Sequence, residues 1–494
     1  MCKDRRGTVE DSQSNGVMGA VLLLLLALLA SGCGSRTSPL ESPRQSTGFM
    51  PPEVVNVLGA GLDLKAEDLD GDGKADLLIP FLASSLALVY NDSTPGAPAF
   101  STTLFAAGPS RVITACSGDI DSDGYPELAV LREDDEDDGL YITPVDVYRN
   151  LDGASYELLH EFEIWQGAED MAFDLVNDDD DVPDLLLTSA LYDGQAAIYF
   201  ESITEPYDDG RAQKVGGYGV QEEYIEFTQM VLHDVDHNGY LDVLEVNTGD
   251  KPGLKLAMHM PVTSAPAVIF DPWQGWIIRP ADYFDPTLCT NYRGSELVLD
   301  EPGAIPLRVA CGDLNEDGLD DVALLVQHPS GQYFDYAMKL TQISQLATFP
   351  SHVVYIYCSS LSGPEGFESS PTMDRRLNLA WAGGLYFPGW VTDIRVADVN
   401  YDDHLDVILC SEGPLHYGGI SYLAYFPGKG DFDFDPPLAF PTGGPPLRLA
   451  VADFDADSYL DAAVLLPWTN ELEVRLNDGG SGLGEEGIII PFME

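Results

Sequence analysis

Short apolar runs recur along the chain, and each one follows a cluster of acids. Leu128-Ala129-Val130-Leu131, Val322–Val326 and Ala462–Leu466 are of strand length and apolar at successive positions, so they predict strands covered on both faces. No stretch sustains a 3.6-residue period, so helices should be few and short. The acidic cluster and its run recur seven times: DLDGDGKADLLI from Asp68, DIDSDGYPELAV from Asp119 and a longer DLVNDDDDVPDLLL from Asp174. DVDHNGYLDVLEV from Asp234, DLNEDGLDDVALLV from Asp313, DVNYDDHLDVILC from Asp398 and DFDADSYLDAAVLL from Asp453 complete the set. With the third copy aligned on Asp184, the starts fall at 68, 119, 176, 234, 313, 398 and 453. That spacing predicts a unit of about 50–60 residues with two long insertions, at about 250–305 and 327–392.

The flanks repeat as well. Pro306-Leu307-Arg308-Val309-Ala310 precedes the fifth loop and Pro446-Leu447-Arg448-Leu449-Ala450 the seventh. Asn-Asp/Gly turns stand at 147–153 (VYRNLDG) and 474–480 (VRLNDGG). Each unit therefore reads strand, acidic loop, strand, turn, strand, loop, strand, an all-β arrangement.

Composition changes the picture in one respect. The 494 residues hold 82 Asp+Glu against 24 Lys+Arg, a net charge of −58. Such a surface repels nucleic acid and anionic lipid, which excludes both as direct partners. At 45% hydrophobic and 10% aromatic residues, the chain can still bury a core.

The loops have the residue types of a cation site. In D-x-[DN]-x-[DN]-G-x-x-[DE], side chains 1, 3 and 5 converge, the glycine at 6 permits a positive φ, residue 7 offers its carbonyl and the acid at 9 closes the cage. Calcium, which takes six to eight hard oxygens, is the expected ion. The first loop supplies Asp68, Asp70, Asp72, Lys74 (as carbonyl) and Asp76, and the second Asp119, Asp121, Asp123, Tyr125 and Glu127. The fourth supplies Asp234, Asp236, Asn238, Tyr240 and Asp242, and the fifth Asp313, Asn315, Asp317, Leu319 and Asp321. The sixth has Asp398, Asn400, Asp402, His404 and Asp406, with Asp403 in place of glycine. The seventh has Asp453, Asp455, Asp457, Tyr459 and Asp461, with Ser458 there. The third is expected to bind weakly or not at all, because Asp181 holds the glycine position, Pro183 precedes Asp184 and Val176 stands at position 1. An EF-hand would need a Glu at position 12 and flanking helices. Position 12 is instead apolar in most copies, and Glu245 is the acid found there.

The repeated pattern resembles the FG-GAP/VCBS repeat, the unit of the integrin α-subunit N-terminal β-propeller and of many bacterial surface proteins. The resemblance covers residues 53–494. It implies seven four-stranded blades closed into a ring, with calcium in the acidic loops. It also suggests that Ile488-Ile489-Ile490 completes a blade begun near Val54–Leu58.

The N-terminus reads as an address. Lys3, Arg5 and Arg6 precede an apolar run at 20–30, half the length a membrane span needs. It ends in Leu29-Ala30-Ser31-Gly32-Cys33, which resembles the lipobox of bacterial lipoproteins. The resemblance implies a signal peptide at 1–32, a lipid on Cys33, a tether over 33–52, and an outer-membrane lipoprotein, anchored to the membrane through the lipid alone. Among the other cysteines, Cys289–Cys311 and Cys358–Cys410 are possible disulfides, and buried free thiols are the alternative.

No local signature of a protease, hydrolase or nucleotide enzyme is present. Trp273 and Trp276 in the first insertion, and Trp381 and Trp390 in the second, are candidate contacts for a protein or a glycan ligand, unless they pack the insertions onto the ring. The leading expectation is a calcium-stabilised, lipid-anchored propeller that binds protein or glycan. A glycan-active enzyme and a structural component of an envelope assembly are the alternatives.

Overall fold

A computed structural model describes residues 62–133, 143–188, 227–259, 268–278, 292–328, 351–362 and 376–477 apart from short breaks, with isolated strands at Ala196–Tyr199, Gln213–Val215 and Ile488–Pro491. The segments expected to be a signal peptide (1–32) and a tether with a lipid on Cys33 (33–52) lie outside the described residues. Those described belong to one compact unit, Met50–Glu494.

The uninterrupted apolar runs explain the architecture, because neither of their faces tolerates water. Among the described residues the chain forms seven four-stranded antiparallel sheets, each a meander of strands consecutive along the chain except for a ribbon in the fourth. The runs are the second strands: Asp76–Pro80, Glu127–Arg132, Asp184–Leu187, Asp242–Asn247, Asp321–His328, Asp406–Glu412 and Asp461–Leu466. Nearly every residue in them is buried. Fourth strands such as Phe100–Ala106 and Leu438–Pro441 are largely exposed and form the outer edge. The first strands of neighbouring blades pack on one another at the inside.

Cores form between blades rather than within them. Leu64, Leu77, Phe81 and Val89 of the first blade share one core with Ala450, Phe454, Leu465 and Leu472 of the seventh, which closes the ring. The closure differs from the expected one. Ile488–Pro491 pairs with Glu471–Arg475 inside the seventh blade, and the first blade runs consecutively from Lys65 to Ala106. The first acidic loop has its own preceding strand, Lys65–Glu67, so that blade does not need a strand from the C-terminus.

The insertions are also smaller than the spacing implies. Gly253–His259 and Tyr292–Val298 pair as the third and fourth strands of the fourth blade, with a ribbon of Val268–Asp271 and Gly275–Ile278 between them. Ser351–Ser362 and Arg376–Tyr386 are the long third and fourth strands of the fifth blade. Much of the extra sequence thus lengthens blade strands.

Free thiols replace the possible disulfides. Cys311 and Cys410 are free thiols, as is Cys116, so neither bridge forms, and Cys289 lies outside the described residues. Burial pushes the Cys410 thiol up to about 12, which leaves it inert as a thiolate nucleophile.

Because strand direction alternates, the described acidic loops sit at one end of the ring, between a first and a second strand. The second-to-third connections and the crossings between blades lie at the other end.

Candidate metal centres

Each loop is built around two tethered carboxylates. The position-1 acid folds the loop over itself. Asp313 accepts the backbone N–H groups of Asp317 (3.0 Å) and Gly318 (2.8 Å), and Asp453 those of Asp457 (3.2 Å) and Ser458 (2.8 Å). The position-9 acid opens the second strand and is buried at its base. Asp461 accepts the N–H of Phe454 at position 2 (2.7 Å) and of Asn477 at the end of the third strand (2.7 Å). Asp76 does the same with Leu69 (2.8 Å) and Asn91 (2.6 Å), and Asp406 with Val399 (3.0 Å) and Gly428 (2.9 Å). Asp321 holds Leu314 (3.0 Å) and Ser359 (2.9 Å). The apolar residue at position 2 (Leu69, Ile120, Val235, Leu314, Val399 or Phe454) is buried in the core.

This brings acids 1, 3 and 9 together. Ligand oxygens of Asp68, Asp70 and Asp76, of Asp119, Asp121 and Glu127, of Asp234, Asp236 and Asp242, and of Asp453, Asp455 and Asp461 lie within 4.8 Å of one another in each loop. Burial pushes Asp76, Glu127 and Asp321 up to about 7, Asp406 and Asp455 to about 6 and Asp461 to about 8, with neighbouring loop carboxylates adding to the rise. At position 3, Asn315 Oδ1 and Asp455 Oδ1 are buried and accept no hydrogen bond. Converging hard oxygens, partly orphaned and mutually repelling, suit a divalent cation that prefers oxygen. The donor set fits calcium, and the residues that would hold it are those at positions 1, 3 and 9.

The FG-GAP-like repeat family matches residues 68–130 and 398–464, which span the first loop to the second and the sixth to the seventh. These segments are FG-GAP-like repeats. No curated protein matches the sequence. Similar solved structures include the crystal structure of BBS1N in complex with ARL6DN, soaked with lead, at 12% identity over 87% of this chain and 96% of that one, with a TM-score of 0.46. The Dos1 propeller is 10% identical over 89% of this chain and 87% of that one, with a TM-score of 0.43. Likeness this distant carries no argument about ligand or partner.

Within the FG-GAP-like loops, position 5 lies outside the three-acid groups. Its side chain caps the N–H of position 7 instead of joining the three-acid group: Asp72 caps Lys74 (2.9 Å), Asp123 caps Tyr125 (2.9 Å), and Asp317 caps Leu319 (3.1 Å). Asp402 caps His404 (3.1 Å) and Asp457 caps Tyr459 (2.9 Å). A short Asp two residues before an N–H favours this local turn over a reach across the loop. Loops five and six have Asn315 and Asn400 at position 3, so an amide oxygen replaces one acid there. Asp403 (φ 68°) and Ser458 (φ 74°) adopt the left-handed backbone that glycine holds elsewhere, so both loops keep their shape. Asn238, Tyr240 and the third loop lie outside the described residues, although Asp184 is buried at the expected strand start.

Two features escaped the sequence pattern. Position 4 is left-handed too, at Gly71, Ser122, His237, Glu316, Tyr401 and Ala456. Five different residue types follow Gly71 there, so no sequence signal marks it. At Gly71 a Cβ would meet the carbonyl of Gly124 at 1.8 Å, so the first loop can touch the second only with glycine. Neighbouring loops are also tied to one another. Asp320 bonds His233 and His237 of the fourth loop, His404 bonds Glu316, and the Tyr401 hydroxyl donates to Ser458 O (3.3 Å).

Of the candidate aromatics, Trp273 and the side chains of Trp276 and Trp381 lie outside the described residues. Trp381 pairs with Tyr357 on a blade strand, and Trp390 opens the first strand of the sixth blade, 38% exposed, so neither stands on an insertion.

Proposed function

We propose that this chain is a calcium-stabilised binding scaffold, anchored through a lipid on Cys33 to the outer membrane, that presents its propeller to a protein or glycan. The observation that carries this reading is the recurrence of one oxygen cluster in four loops, each with its position-9 acid bonded into the sheet. An ion held identically in several blades braces the ring, whereas a catalytic metal needs one site with an open coordination position. The anchor rests on Leu29-Ala30-Ser31-Gly32-Cys33 and the apolar run before it. A rigid ring on a flexible tether suits recognition at a surface.

The test has two arms. Full-length protein in detergent, with and without chelator, is passed over immobilised envelope glycans and envelope proteins. Calcium-dependent, saturable capture of one ligand supports the scaffold reading, and capture that is indifferent to calcium or absent from both panels refutes it. Mass spectrometry of the mature N-terminus should find diacylglycerol on Cys33. An unmodified chain that begins elsewhere would remove the anchor.

A further inference from the structure

Away from the acidic loops, arginines gather. The first strands of blades five, six and seven carry Arg308, Arg395 and Arg448. Each places its Nη1 on the carbonyl of the residue before it, at 2.7 Å (Leu307), 2.7 Å (Ile394) and 3.0 Å (Leu447), which fixes all three guanidiniums. Two carboxylates serve the three cations. Asp393 lies 2.8 Å from Arg395 Nη1 and 3.9 Å from Arg308 Nε, and Asp63 lies 3.2 Å from Arg448 Nε. Asp393 also accepts the Leu449 N–H of the next blade (2.9 Å), so part of its capacity goes to joining blades. The two PLR segments thus bring a pair of fixed guanidiniums, Arg308 and Arg448, to one place in a chain of net charge −58.

A cavity of about 310 Å³ opens between these blades, lined by Arg308, Arg448, Trp390, Gln327, Thr392 and His352 among others. No acid lines it. His352 is buried, and its Nδ1 has no hydrogen-bond partner. We propose that this cavity binds a small monocarboxylate carried on a ring, with Arg308 and Arg448 taking the carboxylate and Trp390 stacking on the ring. Paired guanidiniums held in place recognise a carboxylate through a planar fork of donors. The mostly apolar wall and the half-exposed indole suit a ring face. At the small end of ligand cavities (~300–1,000 Å³), the volume admits one ring rather than a chain of them. A polyanion is disfavoured by the acidic surface around it. Burial, reinforced by Arg448, draws Arg308 down to about 10. The site lies away from the acidic loops and is independent of the anchoring and calcium readings.

Full-length protein in detergent with calcium is titrated by calorimetry and Trp fluorescence with D-glucuronate, benzoate, D-glucose and acetate. One of the two ring acids should bind saturably at 1:1, at least tenfold tighter than glucose and acetate, and which acid binds identifies the ring as sugar or aromatic. Arg448→Gln and Trp390→Ala should each weaken that binding at least tenfold. Trp390→Ala leaves both arginines and their acids in place, so it keeps the test valid if Arg448→Gln does not fold. Absence of saturable binding by either acid, equal binding of glucose, or full affinity in Trp390→Ala would overturn the proposal.

Discussion

The two ends of the ring solve opposite electrostatic problems with the same strands. At the loop end, four of the blades turn between their first and second strands on three converging acids. At the other end, three of the ring's first strands carry arginines that pair with two carboxylates, Asp393 and Asp63. The loop end repeats from blade to blade, and its side chains act on their own backbone. The arginine end belongs to three blades, and Arg308 and Arg448 line a cavity there. Repetition therefore marks what holds the ring together, and departure from repetition marks what distinguishes one propeller from another.

The largest effect should come from removing calcium, which acts on the loop end alone. If the four three-acid loops each hold an ion at 100 times its Kd, each contributes about 2.7 kcal/mol. Chelation should then lower the melting temperature by roughly 10 °C, given about 2.1 cal/mol/K of unfolding entropy per residue. Calorimetric scans with calcium and with excess EDTA check this. An unchanged melting temperature would mean that the acids brace the loops without metal.

Next come single acids, which separate the two tethers. Asp461→Ala removes the acceptor for two buried N–H groups, from Phe454 and Asn477, as well as a calcium ligand. It should cost about 3–5 kcal/mol, since each orphaned buried donor costs about 1–3 kcal/mol. Asp457→Asn, which keeps a cap for Tyr459, should cost less than about 1 kcal/mol. Urea melts of both variants decide it, and equal losses would show that position 5 carries a ligand role after all.

Much of this was legible in the sequence, for physical reasons. The apolar runs announced doubly covered strands because only a blade between blades can bury Val322 to Val326 completely. The D-x-D spacing announced the loops because an acid must follow at position 9 to begin the next strand. The roles within the loop were less legible. Asp457 and Asp461 look alike in sequence, yet one caps its neighbour two residues on and the other joins three segments, and only the folded blade brings Asn477 to Asp461. The arginine end was half legible. The PLR repeats were visible, but their convergence on one cavity depends on blades five and seven flanking Trp390.

A smaller effect concerns protons. In the calcium-free protein, burial raises the position-9 acids from the ordinary carboxylate range to about 6 to 8. The folded state then keeps protons that the unfolded chain has released. The contribution to stability is complete below about pH 4 and is lost as pH rises through about 6 to 8. Melting temperature in chelator should therefore fall from pH 5 to pH 8, while saturating calcium should flatten or reverse the slope, because the ion replaces the protons. Melts at a series of pH values, with and without calcium, give both slopes, and a rise with pH in chelator would contradict the assignment. At the arginine end the guanidiniums stay charged throughout this window, while His352, which burial draws down to about 4, adds a smaller term of opposite sign below about pH 6.5.

The smallest effect tests whether the loop end acts as one ring or as separate loops. The Tyr401 hydroxyl joins the sixth loop to the seventh through Ser458 O, and the Tyr401 and Tyr459 rings meet edge to face at 4.7 Å. Tyr401→Phe keeps the ring contact and removes the hydroxyl, which donates to Ser458 O and accepts the Leu460 N–H, both at the exposed surface, so stability should drop by about 0.5–1.5 kcal/mol. If the loops are independent, that loss should be the same with calcium and with chelator. If the tie transmits order from one ion site to the next, the loss should be larger with calcium bound, because two filled sites then depend on the joined geometry. A double-mutant cycle with Asp398→Asn, run in both conditions, measures that coupling directly. A coupling of zero in calcium would leave each blade to hold its own ion, and would confine cooperation around the ring to the cores between blades.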